Sequence, residues 1–109
     1  MYRYRAVSID IRYTKIYYNN MQYFEWDPVK NLKIKKERGV TFEDVIIALE
    51  NGKILEILNH PNINKYPNQK IFVLDIRGYA YYVPYVEDRG RTFLKTIFPN
   101  RKATKKYLL

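Results

Sequence analysis

The chain has 109 residues, 47% of them apolar, with 20 Lys and Arg set against 11 Asp and Glu. This length and composition give one domain with a packed core, leave no room for a second and exclude a disordered chain. No apolar run approaches the ~20 residues of a membrane span, the start lacks a signal-peptide pattern, and the absence of cysteine excludes disulfides and thiolate catalysis; a cytoplasmic protein without membrane contact is expected.

The net charge of +9 is carried unevenly. Residues 1–52 hold 9 basic and 7 acidic side chains, whereas residues 53–109 hold 11 and 4. A positive field concentrated on half of a small domain points to a polyanionic partner, first of all nucleic acid. Twelve tyrosines fit that reading, because aromatic faces stack on unpaired bases while basic side chains hold phosphates. The plainer reading is a solvated basic surface with tyrosines packed in a sheet.

In chain order, Val7, Ile9, Ile11 and Tyr13 alternate with Ser8, Asp10, Arg12 and Thr14, a period-two strand signal. A stronger domain start follows Met21, so residues 1–20 are read either as an extra strand or as an extension that adds little to the fold. Tyr23-Phe24-Glu25-Trp26 reads as a short strand. Asp27 is a good N-cap and Pro28 suits the first helical position, so a helix is predicted from Pro28 to Arg38, ended by Gly39. Thr41 with Asp44 forms a capping-box-like start for a second helix, and Phe42, Val45, Ile46 and Leu49 give it an apolar stripe.

Antiparallel sheet is predicted next, with strands over 53–58, 69–76, 79–86 and 91–98 and hairpin turns at Arg77-Gly78 and residues 87–90. Residues 59–68 are rich in turn formers and read as a surface loop. Pro84 cannot donate to a ladder, so its strand should bulge or leave its edge unpaired there. The last segment is a short basic helix: Arg101 with Lys105 and Lys102 with Lys106 form one stripe, and Ala103 with Tyr107 face the sheet. The expected fold class is α+β: two helices toward the N-terminus, an antiparallel sheet of four strands or five with the extension, and a short basic helix at the end.

Several of these residues fall into a known pattern. Phe24-Glu25-Trp26-Asp27, Lys30-Asn31, Arg38-Gly39-Val40-Thr41-Phe42-Glu43-Asp44-Val45 and Arg101-Lys102-Ala103-Thr104, in that order, resemble the BrnT family of bacterial type II toxins. The resemblance runs from residue 21 to the C-terminus, and residues 1–20 have no counterpart in it. It implies a RelE-like fold, a metal-independent ribonuclease that halts translation, RNA as substrate, no cofactor, and a BrnA-like antitoxin as protein partner.

Metal-free RNA cleavage uses the neighbouring 2′-hydroxyl as nucleophile, so a protein must remove its proton, stabilise the added phosphate charge and protonate the leaving 5′-oxygen. For the phosphate the candidates are Lys95, Arg101, Lys102, Arg77 and Lys70. Lys105 and Lys106 are RNA-binding candidates whose alternative is plain solvated charge. His60, the only histidine, has the ordinary pKa for proton transfer, although a lone histidine in a turn is more often structural. Glu87 is a second candidate base, or a hairpin carboxylate paired with Arg89 or Arg91. Tyr85 is a candidate proton donor, or core packing with Tyr79 and Tyr81 on one strand face, opposite Tyr82.

Other chemistry finds no residues. The four glycines read as caps and turns rather than a phosphate loop, one His without Cys makes a zinc site improbable, and a Ser-His-Asp triad would need Ser8, the only serine. The alternatives to a ribonuclease are a non-catalytic RNA- or DNA-binding module and a protein whose basic face docks an acidic partner.

Overall fold

The computed structural model describes the backbone of residues 4–9, 14–18 and 22–109, and side chains from Tyr23 onward. Strand β1 (Tyr4–Ile9) pairs antiparallel with β2 (Thr14–Tyr18), and β2 with β3 (Gln22–Trp26). The alternation expected over residues 7–14 lies partly outside the described residues, which omit 10–13.

Local chemistry sets the next two elements. In α1 (Pro28–Arg38) the Asp27 carboxylate accepts N–H bonds from Val29 at 2.9 Å and Lys30 at 3.5 Å, and Gly39 ends the helix at φ 69°. That left-handed conformation suits glycine. In α2 (Phe42–Glu50) Thr41 and Asp44 complete a reciprocal capping box, with bonds of 3.1 and 2.9 Å. Asn31 ties the two helices together, accepting from Phe42 N–H at 2.8 Å and donating to Glu43 at 2.7 Å.

The chain then runs back across the sheet as β4 (Ile54–Asn59), β5 (Gln69–Ile76), β6 (Tyr79–Asp88) and β7 (Arg91–Leu94). Two turns, Arg77-Gly78 and Arg89-Gly90, have positive φ at both residues. This is the turn hand that matches the twist of paired strands. The sheet order is β1-β2-β3-β7-β6-β5-β4, and β3 pairs with β7 in parallel through Tyr23, Phe24 and Glu25. The sheet is therefore mixed and wider than the four or five antiparallel strands expected. The returning meander delivers β7 alongside β3 in the same direction, a long-range pairing with no local sign.

The last expected strand, 91–98, is broken. Lys95 N–H donates to the Pro84 carbonyl at 2.8 Å, but Pro84 has no N–H for the reciprocal bond of an antiparallel pair. Residues 95–97 then oppose two residues of β6, and the chain re-pairs with β6 as β8 (Phe98–Pro99) through Tyr82↔Phe98. Of the two outcomes expected at Pro84, its strand is left without a ladder partner on this side, and the bulge itself falls on the partner strand. It also reverses the alternation, so that Leu94 and Ile97 both enter one core while Phe98 turns to the other face.

α1 and α2 cover one face of the sheet. Trp26, Phe42, Ile34, Ile46, Leu74, Leu94 and Ile97 are all fully buried in this core, each worth about 1.5–3 kcal/mol of transfer free energy. On the other face lies α3 (Arg101–Leu108), over a smaller cluster of Val73, Ala80 and Ala103 with Leu58, Tyr82 and Tyr107 around it. Among the described residues, no helix is long and apolar enough to cross a membrane.

Candidate nucleic-acid interface

α3 is fixed to the sheet at its first turn. The Asn100 side chain accepts from Ala103 N–H at 2.7 Å, and Asn100 N–H donates to the Ala80 carbonyl at 2.9 Å. The Thr104 hydroxyl donates to the Asn100 carbonyl and accepts from Ala80 N–H, both at 2.9 Å. Both backbone groups of Ala80 are thus satisfied by residues at the start of the helix. Ala103 and Thr104 are buried, whereas Arg101, Lys102, Lys105 and Lys106 are exposed. Four cations on eight residues form a stripe on a helix whose first turn is tied to β6. Arg101 and Lys102 also stand in the first turn, without an acidic residue, where the helix dipole is itself positive.

Beside this stripe runs a groove of about 250 Å³ between α3 and β4. Its sheet side is Glu56, Leu58, Val73 and Tyr82, and its helix side is Lys102, Ala103, Lys106 and Tyr107. Lys106 Nζ lies 5.0 Å from the centre of the Tyr107 ring, within cation–π range.

The remaining candidates form two separate groups. At one end of the β5–β6 hairpin lie His60, Lys70, Tyr85, Glu87 and Lys95. Lys70 pairs with Glu87 at 3.6 Å, and Lys70 and Tyr85 are cross-strand neighbours. Tyr85 is buried and stacked on Phe72, with centroids 4.0 Å apart. Burial, and after it the charge of Glu87, pushes its phenol up to about 12. It holds its proton at neutral pH inside the core, in keeping with the packing alternative. His60 accepts from Asn62 N–H at 2.9 Å through Nδ1 and rests on Tyr66 at 4.5 Å. That bond leaves Nε2 as the protonated nitrogen of the neutral ring. Lys95 is exposed beside Pro84.

Arg77 lies at the opposite end of that hairpin, seven residues along β5 from Lys70, or about 23 Å of strand. Its guanidinium donates to the Gly39 carbonyl at 2.9 Å and pairs with Asp44 at 3.5 Å. It fastens the hairpin to the α1–α2 junction. The fold thus gathers Arg101, Lys102, Lys105 and Lys106 on one helix, gathers His60, Lys70, Glu87 and Lys95 near one sheet end, and keeps Arg77 apart.

Sequence reading passed over Glu56, Tyr82 and Tyr107 as site residues. Glu56 carries a weak signal of its own as one of only four acids among residues 53–109, but strand order alone brings it under α3. Among the described residues, no group of three or more His, Cys, Asp or Glu is placed to hold a metal ion. Comparison with known proteins gives no matching family model, no matching curated protein and no matching solved structure.

Proposed function

We propose that this chain acts on RNA as a metal-independent ribonuclease toxin of BrnT-like type, cytoplasmic, with a RelE-like arrangement of its elements and a BrnA-like antitoxin as protein partner. One observation carries the RNA reading: the exposed stripe of Arg101, Lys102, Lys105 and Lys106, latched to β6 through Ala80. Cations carried on a helix already tied to the sheet bind a phosphate chain without ordering the backbone, and they stabilise charge that develops on a phosphate. Arg101 and Lys102 would hold the phosphate at which cleavage occurs, and Lys105 and Lys106 the strand beyond it. His60 through Nε2, Glu87 and Lys95 would supply proton transfer and further charge. The toxin and antitoxin parts of the proposal rest on the sequence resemblance.

The spread of the proton-transfer groups favours a second reading, a basic module that binds single-stranded nucleic acid without cutting it. His60 belongs to the loop before β5, and Glu87 is paired with Lys70 at the open end of the β5–β6 hairpin, whereas the densest cations lie on α3. Induction of the chain in a bacterial host, beside the Arg101→Ala/Lys102→Ala variant at equal expression, separates the two. Growth arrest with degraded RNA from the wild type alone is the expected result. Intact RNA and undisturbed growth in both would move the binding module ahead.

A further inference from the structure

The groove under α3 contains an acid that none of the other described residues engages. Of the four acids among residues 53–109, Asp75 accepts from Gly78 N–H at 2.8 Å, Glu87 pairs with Lys70 at 3.6 Å and Asp88 with Arg89 at 3.8 Å. Glu56 is partly buried and has no ion pair or hydrogen bond among the described residues. It stands in one cross-sheet row with Val73 and Tyr82. Its side chain and the Tyr82 ring rise from the same face two strand spacings apart, about 9–10 Å, with the smaller Val73 as the floor between them. Lys102 and Lys106 stand along the helix side, one turn apart, and Tyr107 closes it.

We propose that this groove is a base subsite selective for guanine in single-stranded RNA, an inference that rests on the RNA reading above. The Watson–Crick edge of guanine offers two adjacent donors, N1–H and the N2 amino group, which one carboxylate accepts together. Adenine and cytosine set an acceptor beside their amino group, and uracil flanks its N3–H with two carbonyls, so each turns a lone pair toward a carboxylate oxygen. The base ring stacks on the aromatic lining from Tyr82 or Tyr107. Lys102 and Lys106, with Cβ atoms about 5–6 Å apart at this spacing, take the phosphates on either side of the base.

Size and charge agree with this occupant. The volume of about 250 Å³ falls below the ~300–1,000 Å³ of pockets that enclose a whole drug-sized ligand, and gives room for one base with its sugar and phosphates outside. An acidic peptide would meet the lysines but would also bring its carboxylates toward Glu56. A guanine nucleotide presents donors to the acid and negative charge to the lysines.

The test is fluorescence anisotropy with the full chain, labelled octa-adenylate RNA, and the same oligomer carrying a single G, C or U, all at one salt concentration. The single G is expected to tighten binding roughly tenfold over the other three oligomers. Glu56→Gln, which turns an amide N–H₂ toward the guanine donors, should reduce that preference to less than about twofold. Glu37→Gln, an exposed change on α1, should keep it. Should Glu56→Gln lose its thermal transition, the wild-type series decides alone. Salt-sensitive binding of all four oligomers with equal affinity overturns the guanine subsite and leaves the RNA reading standing. Failure to bind any oligomer overturns both, as does binding of polyglutamate in place of RNA, which would mark the basic face as a protein-docking surface.

Discussion

The Thr104 hydroxyl occupies the point where β6 runs out of strand partners: its oxygen accepts Ala80 N–H at 2.9 Å while its proton goes to the Asn100 carbonyl. Ala80 is fully buried and Thr104 nearly so, so water cannot replace either bond. Thr104→Val keeps the shape and removes the acceptor, leaving a buried N–H unsatisfied. The expected loss is about 1–3 kcal/mol, read as a lower denaturant midpoint with an unchanged slope. Thr104→Ser keeps the hydroxyl and should recover most of that loss.

A second buried contact joins distant parts of the chain. Arg91 donates to the two carboxylate oxygens of Glu25 at 2.6 and 3.0 Å, holding β7 to β3. Glu25 is 4% exposed. Removing the arginine strands a charge in the sheet, which in a fully buried pair costs ~3–5 kcal/mol. The Arg91 side chain is itself 58% exposed, and that solvent screening lowers the expected cost of Arg91→Ala to about 2–3 kcal/mol. Thermal unfolding checks this, and Glu25→Gln combined with Arg91→Gln should be less destabilised than Arg91→Ala alone, because no unpaired charge is left.

Local chemistry made the helices legible in the sequence, and the sheet only partly so. Asp27, Pro28 and Gly39 delimit α1, and Thr41 with Asp44 starts α2, because caps act within a few residues of themselves. The parallel β3–β7 pair has no such sign. Its partners, Tyr23 with Arg91 and Phe24 with Thr92, lie far apart in sequence and meet only after the meander has folded back. Pro84 announced a disturbed ladder but could not say that the extra residue would fall at 95–97. The site divides in the same way. The α3 stripe follows from helical period within one segment, whereas Glu56 and Lys102 share a groove only because β4 lies beside β5 and α3 crosses toward both.

Tyr85 gives the fold a pH signature. Its phenol rises from an ordinary value near 10 to about 12, through burial first and Glu87 second. The folded state therefore holds this proton more tightly than the unfolded chain does. The associated stability is fully present below about pH 10 and is lost as pH rises through 12, up to about 3 kcal/mol. Tyr85→Phe cannot ionise. The difference in unfolding free energy between Tyr85→Phe and the wild type should be flat below pH 10 and move in favour of the variant above it. A difference that stays constant across that range would mean the phenol is not held in the core.

The basic stripe should govern binding without governing stability. Arg101 and Lys102 are exposed, and among the described residues neither belongs to an ion pair. Both cations also face the positive end of the helix dipole, a placement unfavourable by a few tenths of a kcal/mol each. Arg101→Ala with Lys102→Ala should accordingly leave the thermal transition within about 0.5 kcal/mol of the wild type, or raise it slightly. Nucleic-acid binding should respond in the opposite direction. Each lost phosphate contact flattens the dependence of log affinity on log salt, so the double variant should bind single-stranded RNA more weakly and with a slope smaller by about 1–2. Titrations of one labelled RNA at several salt concentrations measure both quantities together. A variant that binds with the wild-type slope would remove α3 from the interface, because a helix that touches phosphates cannot lose two cations without releasing fewer counterions.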